Sequence, residues 1–135
     1  MKRKKITATI DGISYKIDSY EHTTEFGNRN KDTVAEFLKD SYEGNIDENY
    51  NLSNGYSYIF VTMTYTNNTD EQVEILRNAG AFYIINDDLE RLQVGDPGGI
   101  YIDNYWTEGK ENERYHYVLG AGESVTSEVL SLIHI

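Results

Sequence analysis

Five aromatic side chains crowd into a short stretch near the end of the chain: Tyr101, Tyr105, Trp106, Tyr115 and Tyr117, with Asp103, Asn104 and His116 among them. Tyrosine and tryptophan carry a large apolar face and a polar edge. Beside polar neighbours they can stack on sugar rings or anchor a protein interface. If residues 100–106 and 114–119 pair as a hairpin, several of these rings meet across strands. The same residues could instead serve packing, with Trp106 and about half the tyrosines filling a core or covering a sheet edge. These five are the candidate binding residues.

Metal and catalytic chemistry are less well provided for. Asp47-x-Asn49-x-Asn51 opens like the oxygen-ligand loop of an EF-hand. However, Leu52 stands where the sharp turn requires glycine, and Tyr58 where the bidentate glutamate belongs. Asp87, Asp88, Asp96 and Asp103 could converge at one end of a β structure, but solvated turn carboxylates are the simpler reading. Neither a metal nor a cofactor is expected. The three histidines are His22, His116 and His134. Ser124 follows His116 within a turn, yet no nucleophile motif surrounds it, and a catalytic triad is defined by geometry rather than by closeness in sequence. Carboxylate pairs are arithmetically available in any chain with 23 acidic residues. No catalytic residue is assigned, and a non-enzyme is expected. Asn51-Leu-Ser53 and Asn67-Asn-Thr69 fit a glycosylation pattern but read as turn residues.

Composition narrows the class of partner. The formal net charge is −11, and four of the 12 basic residues are Lys2, Arg3, Lys4 and Lys5. Removing those four leaves 8 basic against 23 acidic residues, a body charge of −15. Such a surface repels phosphate backbones, so no nucleic-acid partner is expected. Residues 1–5 read as a disordered basic terminus. They look like the start of a secretory signal, but Ile6–Ile10 alternates with threonine and no apolar segment follows. No apolar run approaches the ~20 residues of a transmembrane helix. The absence of cysteine excludes disulfides and thiolate chemistry.

The elements that must carry these residues are mostly strands. Ile6, Ala8 and Ile10 alternate, then Asp11-Gly12, then Ile13, Tyr15 and Ile17: a hairpin with strands at about 5–10 and 13–20. One helix is expected near residues 34–41, where Thr33 and Glu36 form a capping box, Val34, Phe37 and Leu38 share a face, and Gly44 is a stop. The longest strand signal is Gly55–Thr69, with Ile59, Val61, Met63 and Tyr65 on one face and Tyr58, Phe60, Thr62 and Thr64 on the other. This suits a sheet packed on one side and partly covered on the other. Further strands are expected from Val73 to about Asn78, at 100–106 and 114–119, and from Val125 to the end; 81–85 is another short apolar run, and 89–94 reads as a short strand or a helical turn. Many short strands bounded by turn chemistry indicate a sandwich or barrel.

Two of these stretches go together. Tyr58–Asp70, an aromatic-aliphatic strand ending in Asn67 and a Thr-Asp turn, looks like the central strand of a family of immunoglobulin-like extracytoplasmic domains. These domains occur in lipoproteins and secreted proteins of Gram-positive bacteria and are related in fold to the mycobacterial immunoprotective antigen. Tyr117–Ser124 is similar to that family's Leu-x-Pro-Gly-Glu-Ser turn, with Ala121 where the family usually has proline. The resemblance covers roughly residues 55–130. It implies an all-β, immunoglobulin-like β-sandwich of about seven to nine mainly antiparallel strands, and a length of 135 residues reads as a single domain over residues 1–135. The resemblance also implies export and a non-catalytic binding or protein–protein interaction role, with a protein or cell-surface partner. A small carbohydrate-binding accessory module using the Tyr101–Tyr117 cluster is the alternative, and a cytoplasmic domain would follow if the chain is literally complete.

Overall fold

The computed structural model describes residues 6–76, 87–90, 99–103, 107, 109 and 116–134. The first hairpin joins β1 (Ile6–Ile10) to β2 (Ile13–Thr23). Its two turn residues, Asp11 and Gly12, both have left-handed φ angles of 52° and 79°. That is the type I′ geometry for which Asp-Gly is suited, because its twist matches that of the strands it connects.

β2 next pairs with β3 (Tyr56–Asn67), and the ladder is interrupted at Asp18, between Ile17 and Ser19. The extra residue shifts the alternation by one. Before it, Ile13, Tyr15 and Ile17 face one side; after it, Tyr20 and His22 do. The apolar pattern of β2 changes phase in the sequence, and the bulge keeps it on the same side of the sheet.

β3 is the central strand. It pairs on its other flank with β7 (Ser124–His134), which in turn pairs with β5 (Ile100–Tyr101). The sheet order is β1-β2-β3-β7-β5, and a second sheet pairs β4 (Val73–Leu76) with β6 (His116–Leu119). Every pairing is antiparallel. Among the described residues there are seven strands and one helix, an all-β arrangement compatible with a β-sandwich of about seven strands. No helix among them is long and apolar enough to cross a membrane.

The two faces of β3 are used as its sequence indicates. Tyr65 joins Ile75 of β4 and Leu119 of β6 in one core cluster, so the small sheet lies against this face. Ile59 and Val61, on the same face, pack with Ile133. On the opposite face Tyr58 and Phe60 are buried beneath helix α1 (Ala35–Ser41) and the segment around it, while Thr62 and Thr64 are half-buried. Phe26 is the centre of that packing, with edge-on contacts to Tyr58 and Phe60 at ring separations of 5.6 and 5.7 Å.

Several sequence expectations need correction. The Thr33–Glu36 capping box does not form: α1 has no side-chain cap, and the Thr33 hydroxyl instead donates to the Tyr101 carbonyl at 3.3 Å. A tertiary bond to β5 has displaced a local one, and the Lys31 carbonyl accepts the Val34 and Ala35 amides. Gly44 does lie just past the helix, at φ 84°. Among the described residues, 100–101 and 116–119 do not pair with each other as a hairpin of 100–106 with 114–119 would require; β5 pairs with β7 and β6 with β4. The first of those strands is also short, since Ile102 and Asp103 leave the ladder. Leu89 and Glu90 carry no strand; residues 81–85 and 91–94 lie outside the described residues.

Candidate functional site

Of the five candidate aromatic residues, the described ones serve packing. Tyr101 is 1% exposed, and its hydroxyl is hydrogen-bonded to that of Tyr65 within the core. No ligand can stack on a ring in that position. Tyr117, half-buried on β6 opposite Ile75, packs against the same cluster. Tyr105, Trp106 and Tyr115 lie outside the described residues.

Several of the polar candidates have partners within the protein. Asp47 has backbone partners within its own loop. Its Oδ1 accepts the backbone amides of Asn49 and Asn51 at 2.8 and 2.9 Å, closing a tight turn. Asp103 accepts the Glu128 amide at 2.6 Å. Asp87 and Asp88 form an exposed turn, and Asp96 lies outside the described residues. His116 pairs with Glu74 at 3.0 Å, whereas Ser124 bonds Thr66 at 2.7 Å. His22 bonds Ser57 at 2.7 Å across β2 and β3, with Ser57 itself buried. His134 bonds the Asn54 carbonyl and rests on the Tyr56 ring.

Among the described residues, clefts open to solvent beside the segment between β2 and β3. Two clefts flank its residues 25–31. The larger, of ≈ 330 Å³, is lined by Glu25, Gly27, Asn28, Lys31, Asn49 and Asn51. Its walls are tied together: the Asn51 side chain accepts the Phe26 amide at 3.2 Å, and the Leu52 amide donates to the Thr24 carbonyl at 2.8 Å. Lys31 and Lys39 both approach the Tyr50 ring, at 5.0 and 5.6 Å, a cation–π arrangement that holds two positive charges at one place on an acidic protein.

Below them the Tyr58 hydroxyl donates to the Tyr50 carbonyl at 2.7 Å. Burial pushes the Tyr58 phenol well above the ordinary tyrosine range, and the Asp47 carboxylate adds to that shift. Tyr58 is therefore a neutral structural donor and no acid–base group at physiological pH.

The smaller cleft, of ≈ 180 Å³, includes Ser19, Glu21, Arg29, Thr62 and Glu128 in its lining. Arg29 forms one wall of it. Its guanidinium donates to Glu128 and Glu21, each at 3.0 Å, and to the Phe26 carbonyl at 2.9 Å, while lying 3.6 Å above the Phe60 ring. These bonds fasten the segment to the sheet, so the charged groups of this cleft are largely paired with one another. Amide groups, an ammonium and a carboxylate line the larger cleft, a set that can donate to and accept from a polar ligand at once.

The sequence held little to mark this site. Gly27-Asn28-Arg29-Asn30 has the composition of a loop and Asp47–Asn51 that of an incomplete EF-hand loop, and nothing local says that they converge. Among the described residues no group of three or more His, Cys, Asp or Glu side chains is placed to hold a metal. No family model matches the chain, and neither a curated protein nor a solved structure does.

Proposed function

We infer that this is a non-catalytic, extracytoplasmic domain for binding or protein–protein interaction, with the larger cleft as its recognition surface. The observation that carries this reading is the construction of the segment between β2 and β3. It is a long excursion, yet it is packed on the sheet through Phe26 and Leu38 and fastened by Arg29. A polar loop surface held by a rigid scaffold is how β domains commonly present recognition groups, since little ordering entropy remains to be lost on binding. The exposed lining favours a partner that offers peptide-like donors and acceptors. Placement outside the cytoplasm rests on the resemblance of Tyr58–Asp70 and Tyr117–Ser124.

The test is to cross-link the intact domain to a cell-envelope fraction, identify the partner and measure its affinity for two cleft variants. Lys31→Glu and Asn49→Ala are each expected to weaken binding about tenfold, or ~1.4 kcal/mol, with an unchanged melting temperature. Binding that is indifferent to both would remove the cleft from the reading. A glycan-array signal abolished by Trp106→Ala would favour the carbohydrate-binding alternative instead.

A further inference from the structure

We propose that β1 is a self-pairing edge, through which two copies of this chain join antiparallel into one continuous sheet. Among the described residues no strand lies beyond β1, whereas the opposite edge, β5, is only two residues long. The outward-facing groups follow from the hairpin. A two-residue turn makes its flanking pair, Ile10 and Ile13, exchange both hydrogen bonds, and the pattern alternates from there. Ile6, Ala8 and Ile10 bond inward to β2. Thr7 and Thr9 point their N–H and C=O groups away from it.

Edges of this kind are ordinarily blunted by lysine, proline or a bulge. Residues 6–10 contain no charge and no proline, and they pair with β2 in unbroken register. The edge is also self-complementary. Antiparallel pairing centred on Ala8 sets Thr7 opposite Thr9 of the second copy, and Thr9 opposite Thr7. Both are outward-facing residues, so each pair can exchange two N–H···O=C bonds. Ile10, 61% exposed in the single chain, then lies opposite Ile6 of the second copy. A parallel pairing of the two edges would lack this exchange, because facing residues of parallel strands do not trade two N–H···O=C bonds. A twofold interface of this form closes on itself, because each copy offers one such edge. It uses none of the cleft residues, so its failure would leave the proposed function standing.

Sedimentation equilibrium on the full chain, from about 1 to 100 μM, tests it. Wild type is expected to rise towards twice the 15.5 kDa chain mass. Thr7→Lys with Thr9→Lys opposes ammonium groups at both pairs and is expected to remain at the single-chain mass. Thr7→Lys with Thr9→Glu creates opposite charges at each pair and is expected to restore the dimer. Both threonines have exposed side chains, so each variant should keep the wild-type circular dichroism spectrum. A wild type that stays at the single-chain mass would overturn the proposal. So would one that grows into open-ended assemblies, or a Lys/Glu variant that behaves like the Lys/Lys one.

Discussion

The two ends of β3 are secured by opposite kinds of chemistry. Around Tyr58 and Phe60 the hold is aromatic: Phe26, Tyr50 and α1 pack on the sheet, and direction matters little. At the far end the hold is one buried amide. Asn67 donates through Nδ2 to the carbonyls of Glu71, Leu119 and Gly120 at 2.8 to 3.1 Å, and its Oδ1 accepts from the amide and hydroxyl of Thr69. Its own backbone amide and carbonyl bond Glu123 and Gly122. Asn67 thus knots the turn after β3 to the turn before β7. The difference teaches where each end is vulnerable. An aromatic cluster fails by leaving a void, whereas a saturated amide fails by orphaning several buried groups at once.

The largest effect should come from the aromatic end. Phe26→Ala removes the ring on which the whole excursion rests, and chemical denaturation should show a loss of about 3–5 kcal/mol. A loss below about 1 kcal/mol would mean that the excursion does not depend on this packing. At the other end Asn67→Ala should cost about 2–3 kcal/mol, by leaving the Leu119 and Gly120 carbonyls without a side-chain donor. Hydrogen exchange at the Gly122 amide, which bonds the Asn67 carbonyl, should rise with it. If Asn67→Ala proves neutral, the knot is held by its backbone bonds alone.

The smallest effect sharpens the aromatic side. Tyr58→Phe keeps the ring and loses only the bond to the Tyr50 carbonyl, about 1 kcal/mol at neutral pH. Its signature lies in alkali. The Tyr58 phenol ionises above the ordinary tyrosine value in the folded chain, so the stability it adds is fully present below the unfolded value, about pH 10, and is lost as pH rises beyond it. Between pH 10 and 12 the variant should therefore lose less stability than wild type. Equal losses would show that Tyr58 is not the group concerned.

Much of this fold could be read locally. Asp11-Gly12 specified its turn because few other pairs adopt two left-handed φ angles cheaply. Gly55–Thr69 announced the central strand by alternation and residue type, and α1 was marked by the spacing of Val34 and Leu38. The capping box was misjudged because Thr33 has a distant competitor in the Tyr101 carbonyl, which no local pattern reveals. The burial of Tyr101, one of the five aromatic candidates, escaped local reading for a related reason. Tyr101 has the same chemistry whether it faces water or the core, and only the pairing of β5 with β7 decided that it faces Tyr65.

By itself, then, the amino-acid sequence determined an acidic all-β chain, its longest strands, its first turn and the site of its helix, because each of these depends on residues a few positions apart. Tertiary structure alone decided the partners of β5 and β6 and the bulge that rephases β2. It alone brought Asn28 and Lys31 to Asn49 and Asn51 around one cleft, and it alone made Asn67 a knot between turns 53 positions apart. Those outcomes depend on which distant strands meet, and loop closure leaves that choice open until the core has formed.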